Sequence, residues 1–311
     1  MKNLRFVCAQ PAIEYYAWQV EIIINNFIEM GINPNNVDIV SWKVNESIPE
    51  SWTKLANHYN SIRFFFYDDT RETRHYISSI RPNILKQHWL HCPELQNEVI
   101  FYHDNDIMFT KPMDFSKFMD DDIWYGSDTR SYISYDYINS KGHGVLDKMC
   151  EIVGIDKEVV KENEMNCIGA QYLLKDIDWT YWSDCERDCE RLFKEITELN
   201  NEIHKTEPTY HELQIWCADM WAVLWNGWKR GKSTITHDDF TFSWATSSEE
   251  DYLKYNIFHN AGVTTDADGL FYKAKYMSKS PFGDDLNIKE HTASWYYWQQ
   301  IKRIGQKSAL L

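Results

Sequence analysis

Residues 98–112 read EVIFYHDNDIMFTKP. An apolar run, Val99-Ile100-Phe101-Tyr102, stops at His103-Asp104-Asn105-Asp106, and apolar residues return at Ile107-Met108-Phe109. A short apolar run with polar borders reads as a buried strand. It is the fourth such run. Residues 4–9, 37–42 and 62–67 read as the first three strands, the first stopped by Gln10-Pro11 and the third by Asp68-Asp69. Between them, 15–31 has helical spacing and closes at Gly31, a helix over 50–58 begins at Pro49, and 76–91 reads as a third helix with Pro82 near its start. Strand and helix alternate through the first 110 residues, which is the pattern of a parallel sheet with helices on its faces. Ligands of such sheets bind outside the carboxyl ends of the strands. Gln10, Asp68 and Asp104 all fall at predicted carboxyl ends, and together they outline a cleft.

The second half is less regular. Strands are expected at 122–126, 169–174, 233–243 and 256–259, and helical segments at 144–163. Residues 179–203 read as a long charged helix, 211–229 as an apolar, Trp-rich helix, and 293–304 as a terminal amphipathic helix. Residues 278–290 read as a long loop. With no linker and no internal repeat, 1–311 reads as one domain, with 1–112 as a nucleotide-binding half and 113–311 as the half that binds the acceptor and completes the site.

The chain has 311 residues, 43% of them hydrophobic, enough to bury a large core or two closely packed lobes. Its formal net charge of -15 argues against a general nucleic-acid binder and against adsorption to anionic membranes. It does not exclude a nucleotide held through a divalent cation. The 14 Trp and 19 Tyr suit either a core or a sugar-stacking cleft, and composition does not separate the two uses. The seven Cys are odd in number and scattered, which fits a reducing compartment. Cys185 and Cys189, one helical turn apart, read as solvated or half-buried thiols. The start, MKNLRFVCAQ, has no signal-peptide apolar region, and no run approaches the ~18 residues of a membrane span, so a soluble, cytoplasmic protein is expected.

Two carboxylates one residue apart at a strand end can both face a hard cation, and Mg²⁺ and Mn²⁺ prefer such oxygen ligands and bridge to phosphate. An isolated Asp-X-Asp serves equally well as a turn. The return to apolar residues right after Asp106 is what a turn alone does not require. In Phe258-His259-Asn260-Ala261-Gly262-Val263, His259 can complete a site made by Asp104 and Asp106, and Asn260 and Gly262 can bring backbone amides to a phosphate. Taken alone, such a His is more often a core or surface residue. Lys273 and Lys275 are candidates to meet a diphosphate, or else form a solvated strand face.

HDNDIMFTKP, with its Pro a few residues on, resembles the Asp-X-Asp strand of GT-A glycosyltransferases. FHNAGV resembles their late His-containing segment, and Arg81-Pro82 a donor-proximal helix of several families in that class. Residues 16–19 and 216–222 more weakly resemble the hydroxyproline O-arabinosyltransferase and peptidyl-serine galactosyltransferase group. The resemblance implies an α/β, GT-A (Rossmann-like) fold with a mostly parallel central sheet flanked by helices. It implies Asp104, Asp106 and His259 as ligands of Mn²⁺ or Mg²⁺, and donor contacts from Asn105. It places Gln10, Trp18 and Gln19 at the nucleoside, and pairs Arg81 with a motif carboxylate or a donor phosphate. Gly169, Ala170 and Gln171 would line the sugar and acceptor site, and Asp219 would be catalytic, either as a base or by orienting the acceptor. The donor implied is a UDP-sugar, with arabinose, galactose or glucose, and the outcome leans to retention. The acceptor is a hydroxyl of a modified DNA base, a glycan or a protein. The plant enzymes of that group are membrane-anchored, whereas this sequence reads as unanchored, which points to a viral or bacterial relative.

Two other readings compete. A nucleotidyltransferase or phosphotransferase shares the sheet and the metal logic but calls for a glycine-rich loop after the first strand, and Cys8-Ala9-Gln10-Pro11-Ala12 has no glycine. A non-catalytic carbohydrate-binding protein would use the aromatic residues but has no need of Asp104, Asp106 and His259 together.

Overall fold

Each apolar run of the first 110 residues forms a strand, and each segment of helical spacing between them forms a helix. The structure is a computed structural model and describes residues 2–310. In chain order the elements begin β1 Leu4–Pro11, α1 Glu14–Glu29, β2 Val37–Trp42, α2 Glu50–His58, β3 Arg63–Tyr67, α3 Ile80–His91, β4 Val99–Tyr102 and β5 Ile107–Phe109. They continue β6 Trp124–Asp128, α4 Arg130–Ile133, α5 Tyr135–Asn139, α6 Val145–Val153, α7 Lys157–Glu162, β7 Ile168–Lys175 and α8 Trp179–Thr206. The chain ends with α9 Ala218–Lys229, β8 Thr234–Thr236, β9 Phe242–Trp244, α10 Glu249–Lys254, β10 Ile257–His259 and α11 Ala293–Gly305.

The class is mixed α/β, with a mostly parallel seven-stranded sheet flanked by helices. Its strand order is β3-β2-β1-β4-β7-β6-β8, and the first four follow the order of a nucleotide-binding half of a doubly wound sheet. Contacts group the chain into two units. One holds Leu4–Asp68, Tyr102–Lys117 and residues 238–310; the other holds Asp69–Phe101, Phe118–His237 and residues 2 and 3. They are called the β1 unit and the β7 unit below. Among the described residues, no helix is long and apolar enough to cross a membrane.

In the β1 unit, β1, β2 and β3 are parallel, with Pro11 level with Trp42 and Trp42 level with Tyr67. Gln10 and Asp68 therefore sit at one edge, as the alternation implied. A second sheet has the order β5-β10-β9, with β10 antiparallel to β5 and parallel to β9. Trp18 and Ile22 of α1, four residues apart, meet Tyr297, Trp298, Ile301 and Ile304 of α11 in one core. This spacing puts each set on one helix face.

Glu21 of α1 is buried in the same unit. It accepts hydrogen bonds from the hydroxyls of Tyr59 (3.1 Å) and Ser308 (2.6 Å) and from the Ala309 N–H (2.7 Å). Burial outweighs these partners and pushes its carboxyl above the ordinary range. A carboxyl whose pKa is raised on folding contributes most below its unfolded value, and this contribution is lost as pH rises through the folded value. The Glu21→Gln protein should therefore gain on the wild type in urea unfolding as pH is raised from 4 to 7. A constant difference across that range would show that Glu21 does not titrate with folding.

In the β7 unit, β6 and β7 are antiparallel, with a bulge between Gly126 and Ser127, and β8 is parallel to β6. Helix α8 packs against α3 and α9. Its aromatic interior is hydrogen-bonded: Trp89, Trp124 and Trp221 donate their indole N–H to the carbonyls of Ile177, Lys175 and Ile133, and the Tyr181 hydroxyl reaches that of Val223. Gly169 of β7 is pressed against its neighbours, since a Cβ there would lie 2.6 Å from Met220 Cε and 2.7 Å from Thr129 Cγ2.

Three expectations are corrected here. The Trp-rich segment is α-helical only from Ala218, after a 3-10 turn at Ile215–Cys217; before it Leu213 is buried, and the Trp216 carbonyl faces the Tyr76 hydroxyl at 2.5 Å. The strand expected at 233–243 is two strands, β8 and β9, separated by a 3-10 turn at Asp238–Phe240. Cys185 and Cys189 are wholly buried on the face of α8 that meets α9, with Cys185 Sγ on the Ala222 carbonyl, so neither is a solvated thiol.

A candidate metal centre at the end of β4

Strand β4 runs beside β1: the Val99 N–H donates to the Asn3 carbonyl and the His103 N–H to the Val7 carbonyl. The motif thus leaves the strand three residues short of the level of Gln10. His103 is buried, with its ring against Phe27 and its Nδ1 2.7 Å from the Asp104 carbonyl, which tightens the turn. The chain then enters β5, whose antiparallel partner β10 places His259 opposite Ile107. The Asn260 N–H closes the ladder on the Asp106 carbonyl at 2.8 Å.

This pairing joins residues 153 positions apart in the chain (259 minus 106). His259 Nε2 lies 3.2 Å from Asp106 Oδ1 and 3.7 Å from Asp104 Oδ2. One ligand atom from each of the three lies within 4.8 Å of the other two. The Trp244 ring stacks on the imidazole (centroids 5.8 Å apart, planes at 15°) and fixes its plane. His259 Nδ1 is buried without a hydrogen-bond partner, so Nε2 is the nitrogen turned to the carboxylates. Asp106 is buried at 6% exposure, whereas the Asp104 side chain is 26% exposed. One ligand is thus anchored inside the protein and the other opens outward.

Lys273 completes the group, its Nζ against Asp106 Oδ2. Burial alone would raise the Asp106 pKa, but Lys273 and His259 outweigh it and hold this carboxyl well below the usual carboxylate range. Burial also opposes the charge on Lys273. Asp106 first, and then Tyr15 and Asp104, reverse that and hold the ammonium above the ordinary lysine range. Tyr15 belongs to the same field, a contact that nothing in the sequence pattern signals. Burial raises its pKa most, against a downward pull from Lys273.

No protein-family model and no curated protein sequence matches the chain. Among solved structures it is similar to the apo form of the bifunctional glycosyltransferase WbbM, at 10% identity over 84% of this chain and 46% of that one, with a TM-score of 0.45. The chain thus spans about half the length of WbbM. It is similar to the galactosyltransferase LgtC in complex with donor and acceptor sugar analogues, at 11% identity over 96% and 95% of the two chains, TM-score 0.42. A glycosyltransferase involved in glycosylating the major capsid of PBCV-1 is similar at 12% identity over 88% and 96%, TM-score 0.38. Likeness at this level leaves the function to be argued from the residues of the cluster.

The other sequence candidates divide. Asn105 is 7% exposed, with its Nδ2 buried and unpartnered. Gly262 has φ +89°, a backbone that glycine adopts at little cost, and it lets the chain turn after β10. Gln10 gives its amide to the Val40 carbonyl and Ser41 Oγ, which leaves Oε1 buried without a donor. Several expected donor contacts are engaged inside the protein instead. Trp18 is wholly buried, with its N–H on the Tyr276 carbonyl; Gln19 bonds back to the Tyr15 carbonyl; and the Asn260 amide is taken by Asp106. Lys275 pairs with Asp266 at the surface rather than with the cluster.

Within the β7 unit, Arg81 reaches Asp219 at 3.4 Å. The Tyr76 hydroxyl lies 2.8 Å from the other Asp219 oxygen, and burial followed by the Asp219 charge pushes this phenol up. Tyr76 is held in place because Glu190 accepts its N–H, that of His75 and the Ser79 hydroxyl. Gln171 is wholly buried, accepts from the Ser127 hydroxyl at 3.0 Å, and has an unpartnered Nε2. Its neighbour Ala170 sits at φ +60°, which is strained for a residue with a Cβ.

Two carboxylate oxygens and one imidazole nitrogen suit Mn²⁺ or Mg²⁺ better than a thiophilic metal. The observed convergence fits such an ion, with Asp106 and His259 held rigidly and Asp104 at the open side.

Proposed function

We propose that the chain is a metal-dependent glycosyltransferase of the GT-A class that moves a sugar from a nucleotide donor, a UDP-sugar, to a hydroxyl acceptor. The observation that carries this reading is the convergence of Asp104, Asp106 and His259 at the end of a strand in an α/β sheet. A bound Mn²⁺ or Mg²⁺ would supply Lewis-acid neutralisation of the diphosphate leaving group. The chain's own part is to hold that charge in place. Asp106 and His259 fix the position, Asp104 faces outward, and Lys273 adds a positive charge beside them. Gln10, at the carboxyl end of β1, stands near the nucleoside in this reading, with its Oε1 buried and without a donor. In this reading Asp219 and Gln171 serve the transfer step, with Tyr76 and Arg81 positioning Asp219. The absence of glycine between β1 and α1 tells against a phosphate-loop nucleotidyltransferase. The acidic cluster tells against a purely carbohydrate-binding role.

The test is a panel of UDP- and GDP-sugars, including arabinose, galactose and glucose, incubated with Mn²⁺ and assayed for release of the nucleotide. One UDP-sugar should turn over, and chelator should stop it. Equal turnover with chelator present would refute the metal's part. Binding of sugars with no metal-dependent affinity for UDP would favour the binding protein. The preferred donor decides between pentose and hexose.

A further inference from the structure

The metal reading leaves one contact unexplained. Each Asp106 oxygen already has a cationic or donor partner, Oδ1 with His259 and Oδ2 with Lys273. A cation held by Asp104, Asp106 and His259 must share a buried carboxylate with a protonated lysine. Two positive charges against one carboxylate repel, and little solvent is present to screen them. The lysine backbone cannot simply retreat. Phe271 is buried and its N–H is held by Ser294 Oγ at 2.7 Å, while the Tyr276 carbonyl holds the Trp18 indole N–H. The flexible four-carbon stem can still move, and the Lys273 side chain is 26% exposed.

We infer that Lys273 is a built-in competitor for the metal position, an internal ammonium that keeps affinity for the bare cation low and leaves Asp106 only when a diphosphate offers it a new anionic partner. This rests on the metal reading above and adds a consequence. Cation and nucleoside diphosphate bind as a coupled pair, each raising the affinity of the other by the same factor. The coupling has a simple origin, since a polyanion supplies the charge that lets lysine and metal coexist. Mn²⁺ alone would be a poor ligand, and the loaded state would form only with donor or product nucleotide present.

The experiment measures Mn²⁺ binding by electron paramagnetic resonance of the free ion, with and without UDP, on the wild type and on Lys273→Gln. Glutamine keeps a donor for Asp106 and removes the charge. Lys273→Gln should bind Mn²⁺ alone about tenfold more tightly than the wild type, and UDP at saturating Mn²⁺ about tenfold more weakly, the size expected for one charge-assisted contact. The opposite signs matter, because a merely structural defect would weaken both. Unchanged or weaker binding of Mn²⁺ alone overturns the inference and leaves the metal reading standing. A wild type that binds no Mn²⁺ even with UDP overturns the metal reading and the inference with it. Should Lys273→Gln not fold, Lys273→Arg decides: keeping a cation, it must bind Mn²⁺ alone as weakly as the wild type, and tighter binding refutes the competition.

Discussion

Asp106→Asn should abolish Mn²⁺ binding in the presence of UDP, cut donor turnover by about 10³-fold or more, and also cost about 3–5 kcal/mol of stability. The two losses have different origins. Loss of metal binding follows from removing one of three ligands. Loss of stability follows because Asp106 is 6% exposed and faces Lys273 and His259, so an amide takes the buried counter-ion from both. Asp104→Asn separates the two effects. It should lose metal binding and turnover to a similar degree, but with a 26% exposed side chain its stability should change by less than about 1 kcal/mol. Urea unfolding of both variants without metal makes the comparison. Equal stability losses would mean that burial does not distinguish the two aspartates. The sign with pH is fixed as well. Asp106 has a depressed pKa in the fold, so its contribution is present above the unfolded carboxyl pKa, about 3.9, and is lost as pH falls below it.

Asp38→Ala should be the most damaging change far from the cluster, costing about 3–5 kcal/mol in urea unfolding of the metal-free protein. Asp38 of β2 is wholly buried and level with Arg63 across the pairing with β3. Arg63 grips it with two nitrogens, Nε at 2.6 Å and Nη2 at 2.5 Å, and Arg5 Nη1 adds a third contact at 3.2 Å. Removing the carboxylate takes one shared, buried anion from two guanidiniums. The Lys43–Asp68 pair shows the opposite case. With side chains 26% and 57% exposed, its loss should cost under about 1 kcal/mol. A cost below 1 kcal/mol for Asp38→Ala would show that the two guanidiniums do not depend on the buried carboxylate.

Which parts of this were legible in the sequence follows from how far apart the partners lie. The run 99–102 and its two aspartates are local, and both the strand and its polar ending were readable from spacing alone. The boundaries of β2 and α2 coincide with the runs read at 37–42 and 50–58. Asp104, Asp106 and His259 could be nominated together because hard-cation chemistry names its own ligand types. The Lys273–Asp106 contact spans 167 residues and Tyr76–Asp219 spans 143, and no periodicity carries such pairings. Tyr76 in particular had no signal, since a Tyr at the start of a helical segment looks like any other. The place of Trp18 is hard to read from sequence for a related reason. An indole on an amphipathic helix suits a base-stacking wall and a core equally, and only the packing of α11 against α1 settles it.

The antiparallel seam that sets His259 opposite Ile107 has a further consequence. Side chains alternate sides along a strand, so a slip of a single residue would swing the imidazole to the far side and leave the aspartates without it. A chain misfolded in that way could keep most of its hydrogen bonds, but it would also turn Phe258 out of the core and would be chemically blank. If the proposed metal role holds, manganese binding would also be a proofreading readout, one that counts only correctly threaded molecules in a preparation.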